Sequence, residues 1–362
     1  MVRTHGAQGV TAGISVRRAA RNGRLHPRRR GCVARNGGGH GTPYRRRRPC
    51  DDRGVRDSLT RPLSEALRST PLFFEPVPPS ARAKPARAEA ELNAAAELVR
   101  AVPRIDALDI PELVDENHEG RPYYRTADPR EFGRTLGERT GREPVVNKVV
   151  AHLESPEAIE RWASETVRLG IRHVVLVGGT SRYIPYPGPA VTEANRICRP
   201  ILERAGGLVG NITIPQREGE PHRMLSKTRA GAAFFTTQIV FDAEGTYQMV
   251  RQYDLLCRQA SLAPVAVLLS FAPLVDEQDA EFIRWLGVDI PEDSERAILE
   301  GEDGGALPRA VERAMEVWES VRDRARSDGL SVPLGVNVEQ VSARHLGDAR
   351  TFLLAFADRF PS

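Results

Sequence analysis

Two polar side chains interrupt apolar runs that are typical of buried β-strands. Glu75 lies between Phe74 and Pro76 in the stretch FFEPVPP, and Gln238 ends the run GAAFFTTQ. Apolar surroundings raise the pKa of a carboxyl toward neutrality, where it can act as a general acid. A buried amide needs hydrogen-bond partners, since leaving it unpaired costs about 1–3 kcal/mol. Glu75 is therefore a candidate proton donor, with an ion-paired carboxylate as the alternative. Gln238 is a candidate ligand-binding amide, unless neighbouring backbone satisfies it.

The elements that must position these side chains alternate from about residue 64 onward. Short apolar runs predict strands at 72–77, 104–110, 145–151, 173–179, 207–214, 234–240, 264–270 and 333–339. Amphipathic patterns predict helices at 81–100, 129–139, 156–169, 192–205, 247–259, 277–286, 308–326 and 343–358. Strand–helix pairs in this number predict a (β/α)₈ or TIM barrel, whose parallel strands are buried and give continuous apolar runs. A doubly wound open sheet is the competitor, but the GxGxxG turn typical after its first strand is absent.

The carboxyl ends of the strands carry the chemistry in barrels of this kind. Polar residues at the predicted strand ends are therefore candidates for the site: Glu75, Asp109, Glu112, Asn147, Lys148, Thr180, Asn211, Thr213, Gln238, Ser270, Asn337 and Glu339. No long linker interrupts the pattern, so residues 64–362 are predicted to form one barrel domain.

Charge divides the chain into two parts. Residues 1–56 hold 15 Lys and Arg residues against 2 Asp and Glu, whereas the remainder is acidic. We expect residues 1–63 to form a disordered Arg/Gly-rich tail, because few aliphatic side chains are there to offset the entropy of ordering. An acidic body is not expected to bind nucleic acid. No apolar stretch approaches the roughly 20 residues of a membrane helix.

The cysteines indicate neither a metal site nor a disulfide framework. Cys32, Cys50, Cys198 and Cys257 form no CxxC pair, and the first two lie in the expected tail. Scattered free thiols of this kind fit a reducing compartment. We therefore expect a cytoplasmic protein without a bound metal.

Three segments resemble the methylenetetrahydrofolate reductases, flavin-containing (β/α)₈ enzymes that reduce 5,10-methylenetetrahydrofolate to 5-methyltetrahydrofolate with a nicotinamide cofactor. FFEPVPP (73–79) resembles the opening strand of that family, and SKTRAGAAFFTTQIVFD (226–242) resembles its lysine helix and Thr-Gln strand. EQDAEFIRWLGVDIP (277–291) is similar to its Gln-x-x-x-Phe helix, and a weaker likeness covers 155–179. The likeness extends over about residues 70–355.

The resemblance implies roles for individual residues. Glu75 is implied to be the acid that protonates the departing nitrogen when the methylene bridge of the substrate opens. Gln238, with Thr237 beside it, is implied to bind the pterin. Gln278 and Phe282 lie four residues apart on one helix face and are implied to border the flat ligand. For Phe282, ordinary core packing is the alternative.

The positions that the family uses for its flavin match less well. Lys227 matches a lysine that approaches the flavin phosphate or ribityl chain, although a solvated helix lysine is the alternative. Lys148, Thr180 and Asn211 stand where the family has other flavin-facing residue types, including the acid of an Arg-Gly-Asp strand end. The resemblance implies FAD, but these departures leave open whether the chain binds it weakly or does without it.

The implied function is the reduction of 5,10-methylenetetrahydrofolate with NAD(P)H, an oxidoreductase reaction on a CH–NH donor that supplies methionine synthesis. A folate-dependent one-carbon transferase on the same barrel is one alternative. A non-catalytic barrel that binds folate or a partner is another. The presence of both Glu75 and Gln238 favours catalysis, because a binder needs no acid beside the pterin. By analogy with the family, a homo-oligomer is the expected state.

Overall fold

The computed structural model describes residues 61–117, 120–179, 184–301 and 304–360. Its strands are β1 Leu72–Glu75, β2 Ala107–Ile110, β3 Val114–Glu116, β4 Pro122–Tyr124, β5 Glu143–Val149, β6 His173–Val177, β7 Val209–Thr213, β8 Phe234–Ile239, β9 Ala266–Phe271 and β10 Leu334–Glu339. All except β3 and β4 close into one parallel barrel in the order β1-β10-β9-β8-β7-β6-β5-β2. The predicted TIM barrel is confirmed, and each predicted strand overlaps an observed one.

Helices follow the barrel strands along the chain. They are α1 Leu63–Ala66, α2 Pro85–Ala101, α3 Pro129–Thr140, α4 Pro156–Arg168, α5 Val191–Arg204, α6 Glu220–Arg229, α7 Ala243–Gln259, α8 Glu277–Trp285, α9 Glu292–Leu299, α10 Ala306–Ser327 and α11 Leu346–Arg359. Short 3₁₀ turns at Val150–His152 and Ala343–His345 follow β5 and β10. All eight predicted helices are present. The hairpin of β3 and β4 was not predicted, because its strands are short, polar and not fully buried.

Alternation along the strands sorts the core into two layers. One set of side chains, including Phe73, Ala107, Val145 and Phe234, packs together inside the barrel. The residues between them pack outward against the helices. Because side chains alternate with a period of two, the next inward positions toward the carboxyl ends are Glu75, Asp109, Asn147, Thr236 and Ser270. The apolar floor of the lumen therefore lies directly beneath these polar side chains, here called the polar ring, which β6 and β7 interrupt with Val177 and Ile212.

The amino end of the barrel is closed by α1. Leu63 and Leu67 are buried and belong to the inner cluster. The backbone N–H of Leu63 donates a hydrogen bond of 3.1 Å to Glu143, at the start of β5. Above it the rings of Phe73 and Phe234 meet edge to face at 6.0 Å and fill the lumen. The lumen is therefore sealed from below.

Two predictions concern the amino-terminal tail and the absence of a membrane helix. Residues 1–60, nearly all of the expected tail, lie outside the described residues, so its disorder stays a prediction. Within the described part of the chain, no helix combines the length and apolar character needed to cross a bilayer.

Candidate functional site

Three carboxyls lie side by side at the carboxyl end of the barrel, on the neighbouring strands β10, β1 and β2. Glu339 and Glu75 are register partners. Phe74 pairs with Leu108 in the same ladder, so the next position sets Asp109 beside Glu75. Neighbouring strands are about 4.8 Å apart. Like charges at that spacing repel strongly, and no cationic side chain of the described chain acts on the three acids.

Burial disfavours ionisation of all three acids, and repulsion from Glu75 adds to it for Asp109 and Glu339. Desolvation raises the pKa of Glu75 to about 7, although a hydrogen bond from Asn337 lowers it in part. Burial and the nearby Glu75 raise the pKa of Asp109 well above its usual value. Burial, followed by repulsion from Glu75, does the same for the pKa of Glu339. The pKa of Glu75 therefore lies near neutral pH, and those of Asp109 and Glu339 also lie well above their usual values.

The polar ring contains oxygen atoms without hydrogen-bond partners among the described residues. They are both carboxyl oxygens of Asp109, the amide oxygens of Asn147 and Asn337, and the hydroxyl of Thr236. The side-chain nitrogen of Asn337 donates hydrogen bonds of 2.8 Å to Glu75 and 3.2 Å to Ser270, so only its side-chain oxygen lacks a partner. Unsatisfied buried polar atoms are uncommon in native proteins and call for an explanation, such as a bound ligand or a bound proton. No three His, Cys, Asp or Glu side chains within the described ranges could hold a metal ion.

Gln238 lies at the rim of the same mouth, on β8, and two strands, β10 and β9, separate it from the strand of Glu75. Its Nε2 donates a hydrogen bond of 2.9 Å to the carbonyl of Leu286, in the loop after α8, and the side chain is only partly buried. Neighbouring backbone therefore satisfies the amide nitrogen of Gln238, which is half of what the alternative of a backbone-satisfied amide requires. Among the described residues the amide oxygen has no such backbone partner, so Gln238 can still accept a hydrogen bond.

A β-bulge in β8 explains why Thr237 does not face a ligand. Thr236 pairs with Leu268, but Ile239 rather than Gln238 pairs with Ser270, so β8 has one extra residue here. The Thr237 hydroxyl accepts a hydrogen bond of 2.8 Å from the Ser270 backbone N–H and is buried. The Thr237 side chain thus holds the bulge, and Thr236 is the threonine that faces the lumen; the role of Thr237 in substrate binding stays a prediction.

Aromatic side chains from α8 and from the hairpin border the mouth. Phe282 is partly exposed and stacks on Trp285 with ring centroids 5.6 Å apart and an interplanar angle of 18°. The guanidinium of Arg125, next to β4, lies 6.0 Å from the Trp285 ring centroid. Gln278 is exposed on α8. Phe282 is thus not core, contrary to the alternative reading, and the rim offers ring faces against which a flat molecule can stack.

Lys148 points away from the lumen, beneath the hairpin. Its Nζ donates a hydrogen bond of 2.6 Å to Glu112 and lies 5.6 Å from the Tyr124 ring centroid. The other oxygen of Glu112 accepts 2.7 Å from the Val149 N–H. The charge of Lys148 is thus compensated by Glu112 and buried, and its expected role in cofactor binding stays a prediction.

Lys227 and Asn211 are also used within the protein. Lys227 Nζ donates 2.7 Å to the carbonyl of Ile212 and lies 3.5 Å from Glu220, while burial lowers its pKa. Asn211 faces α5, exchanges hydrogen bonds of 2.7 and 3.0 Å with Asn195 and donates 3.0 Å to the carbonyl of Leu176. Both side chains are thus paired within the protein, and their expected roles in cofactor binding stay predictions. Thr180 lies outside the described residues.

Sequence reasoning missed a polar cluster around His152. The His152 Nε2 lies 2.7 Å from Glu116, a residue of the hairpin, and the Tyr186 hydroxyl donates 2.6 Å to the other oxygen of that carboxylate. His152 is buried, with its ring 5.9 Å from that of Tyr186. The signal in the sequence was a histidine three residues after β5, in the stretch VVAHLE. The cluster ties the unpredicted hairpin to the barrel.

The loops that carry the rim are fixed by charges and by one strained residue. Arg344 and His345, after β10, bind Asp279 near the start of α8, with His345 Nε2 at 2.7 Å. Gln340, also after β10, donates 2.9 Å from its backbone to the carbonyl of Glu75. Val341 then adopts a φ of 62°, an outlier for a β-branched residue. Strain of this kind clusters at functional sites.

Comparison with known proteins gives a likeness at the level of structure. No family model matches the chain, and no curated protein matches it significantly. A solved structure of an uncharacterized protein from Clostridium thermocellum, described as binding two copies of 5-methyl-5,6,7,8-tetrahydrofolic acid, superposes with a TM-score of 0.67 at 18% identity. The match covers 82% of this chain and 98% of that one. It supports the fold. A 2,3-dimethylmalate lyase of the PEP mutase/isocitrate lyase superfamily matches with a TM-score of 0.40, 14% identity, and 74% and 88% coverage.

Proposed function

We propose that the barrel binds a reduced folate at its mouth and reduces 5,10-methylenetetrahydrofolate to 5-methyltetrahydrofolate with NAD(P)H. The observation that carries the proposal is Glu75. Its carboxyl lies at the mouth, has a pKa of about 7 and has no ion-pair partner in the described chain. A carboxyl in this state can be protonated and acidic at the same pH, which is what a general acid requires.

Reduction of the methylene bridge requires one proton and one hydride. The methylene carbon of the substrate bridges two nitrogens, and protonation of one nitrogen breaks its bond to that carbon and leaves an iminium. Glu75 supplies this proton and becomes a carboxylate. The hydride from the nicotinamide then adds to the iminium carbon, which becomes the methyl group.

The rim supports binding of the pterin. Gln238 offers a side-chain amide whose oxygen and nitrogen can pair with the amide and amino edge of a pterin, once its bond to Leu286 is exchanged. Phe282 and Trp285 offer ring faces for stacking. The unpartnered oxygens of Asn147, Thr236 and Asn337 add acceptors below them. The described ligands of the Clostridium thermocellum protein with the same fold are of this chemical class.

The described positions expected to face a flavin already have partners within the protein. Lys148, Lys227 and Asn211, expected to face one, are each satisfied by neighbouring protein groups. We therefore propose direct hydride transfer from the nicotinamide, which is chemically feasible because a nicotinamide can reduce an iminium. A second candidate, folate binding or one-carbon transfer without reduction, is favoured by the methylated folate that the structural neighbour is described as binding.

The test uses the purified full chain with methylenetetrahydrofolate and NADH or NADPH, without added flavin, and follows nicotinamide oxidation. We expect turnover in the wild type and a fall of about 10²- to 10⁴-fold in Glu75→Gln, the range for a lost general acid. Folate affinity, measured by calorimetry, should change little. Glu97→Gln, an exposed position on α2, is the matched control and should behave as the wild type.

Three other outcomes would change the conclusion. Equal turnover in Glu75→Gln would remove Glu75 from the mechanism. Folate binding with no turnover would favour the second candidate. Failure to bind any reduced folate would contradict both.

A further inference from the structure

Asn337 is a fully buried amide of β10 that reaches the acid of the proposed reaction. It pairs in register with Phe73, one inward step below the pair of Glu75 and Glu339. Its side chain has no solvent exposure, and its Nδ2 donates hydrogen bonds of 2.8 Å to Glu75 Oε2 and of 3.2 Å to Ser270 Oγ. Burying an amide costs free energy that an apolar side chain of the same shape would avoid. The contact with Glu75 therefore calls for a reason beyond packing.

The hydroxyl of Ser270 fixes which way the amide of Asn337 faces. Ser270, on β9, donates a hydrogen bond to Glu339, and a hydroxyl has only one proton to donate. Its Oγ can therefore only accept from Asn337, so the amide must turn its N–H groups, and not its oxygen, toward Ser270. The same nitrogen faces Glu75, and the amide oxygen has no partner among the described residues. Glu75 Oε2 therefore meets a hydrogen-bond donor.

This donor decides which oxygen of Glu75 can carry a proton. A protonated carboxyl has one O–H group and one carbonyl oxygen, and the oxygen that faces an N–H group must be the acceptor. The proton is thereby kept off Oε2 and placed on Oε1. Glu75 is partly exposed, and Oε1 is not among the buried oxygens that lack a partner. Oε1 is therefore the oxygen on the open side of the mouth.

We propose that Asn337 is a positioning residue that holds the proton of Glu75 on Oε1, where the substrate nitrogen can receive it, and that Ser270 fixes the orientation of its amide. This inference rests on the proposed function of Glu75. When the O–H bond of Oε1 breaks and the proton bonds to the substrate nitrogen, the negative charge spreads over both oxygens of Glu75. The N–H of Asn337 already faces Oε2 and stabilises that charge, since a hydrogen bond to an ionised group is stronger than one to a neutral group.

The other groups around Glu75 cannot take this role. The titratable side chains that face it are Glu339 on β10 and Asp109 on β2, and both are acids. The inward positions of β5, β8 and β9 carry no charge, namely Asn147, Thr236 and Ser270. Among the described residues, the Asn337 amide is the one donor bonded to the Glu75 carboxyl, and it lowers the pKa that burial raises to about 7.

Infrared spectroscopy of the ligand-free full chain tests where the proton lies. Subtracting the spectrum of Glu75→Gln isolates the bands of Glu75, with and without Asn337→Leu, which keeps the size of the side chain but removes its N–H groups. A carbonyl that accepts a hydrogen bond absorbs at lower frequency than a free one. In Asn337→Leu we therefore expect the protonated-carboxyl band of Glu75 to move to higher frequency, and its titration midpoint to rise by about one pH unit. Either an unchanged frequency or an unchanged midpoint would overturn the proposal.

Asn195→Leu is the matched control. Asn195, on α5, is equally buried and hydrogen-bonded, but its partner is Asn211, outside the lumen. This variant should lose stability, while the Glu75 band and its midpoint should stay as in the wild type. Asn337→Ala, which removes the amide without adding bulk, is measured as well, so that the result does not depend on whether Asn337→Leu folds. It should change the band and the midpoint in the same directions.

Turnover as a function of pH tests the catalytic consequence. The acid must be protonated to react, so we expect the alkaline midpoint of the rate profile to rise by about one pH unit in Asn337→Leu. Turnover on the acidic plateau should fall by about tenfold, less than for loss of the acid itself. A purely structural role would lower turnover without moving the midpoint, and that result would overturn the proposal. If the wild type reduces no folate, the proposed function fails, and the infrared band still decides where the proton of Glu75 lies.

Discussion

Three acidic residues at the mouth destabilise the fold. Glu75, Asp109 and Glu339 are kept close together in surroundings that disfavour their charge. Apolar or amide side chains of similar size would avoid this cost. Groups whose pKa values are displaced by burial and by like charges are typical of functional sites, so the unfavourable arrangement itself supports a role in chemistry.

The stability cost of Glu75 should depend on pH. Its pKa is about 7 in the folded protein against a usual 4.5, so the folded state binds the proton more tightly than the unfolded state. The stability from this proton is fully present below about pH 4.5 and is lost as the pH rises through about 7. Glu75→Gln removes this dependence. We expect the variant to gain about 1–3 kcal/mol over the wild type at pH 8, with no corresponding gain at pH 4.

Urea unfolding at both pH values provides the measurement. Glu97→Gln on the surface of α2 serves again as the control, since an exposed carboxyl should give no such pH-dependent difference. An equal effect of Glu75→Gln at pH 4 and pH 8 would show that Glu75 ionises normally.

At the scale of elements, α8 is held in place by charges from another loop. Asp279, near its start, accepts from the Val275 N–H at 3.0 Å and contacts His345 at 2.7 Å. His345 Nδ1 also lies 2.6 Å from Asp348. Because α8 carries Phe282 to the rim, this cluster decides where the stacking surface lies.

The hold of His345 on α8 should weaken in alkaline solution. Burial lowers the pKa of His345, but hydrogen bonds with Asp279 and Asp348 outweigh it and raise the pKa overall. The stability from a raised pKa is present below the usual value of 6.5 and is lost as the pH rises through the folded value. His345→Gln should therefore cost more stability at pH 5.5 than at pH 9.5, measured by urea unfolding. His222→Gln, at an exposed position of α6, is the control, and a cost that does not vary with pH would contradict the expectation.

The elements themselves could be predicted better than the directions of their side chains. Continuous apolar runs mark parallel strands buried on both faces, which is why every barrel strand was found. Glu75 was found because its surroundings in sequence are also its surroundings in space. The direction of the Thr237 side chain could not be predicted, because a bulge of one residue changes the phase of β8. That of Asn211 could not be predicted either, because a strand buried on both sides gives no sign of which face is inward. The β3–β4 hairpin and its partner His152 could not be predicted, because no apolar pattern in the sequence marks them.

At the scale of the whole molecule, stability and chemistry are placed at opposite ends of the barrel. Leu63 and Leu67 close the amino end with apolar contacts, while the acids lie at the carboxyl end. Between them the lumen is filled by Phe73, Phe234 and their neighbours. Changes at one end should therefore leave the other nearly unaffected.

Leu63→Ala tests this separation. Leu63 is 1% exposed, and a buried Leu→Ala change usually costs about 2–5 kcal/mol through lost contacts and the cavity left behind. We expect a clear fall in melting temperature with an unchanged dissociation constant for the reduced folate at a temperature where the variant is folded. Leu354→Ala, on a partly exposed position of α11, should change neither. A weakened affinity in Leu63→Ala would show that the two ends are coupled.

Closure of the amino end of the barrel by α1 also restricts how ligands reach the site. A barrel closed at one end has a single opening, so under the proposed function the nicotinamide and the folate would enter and leave by the same route. If no flavin carries the hydride between them, both would have to be bound at the same time, and their two flat ring systems would share one mouth. The order of binding would then be a property that this architecture controls.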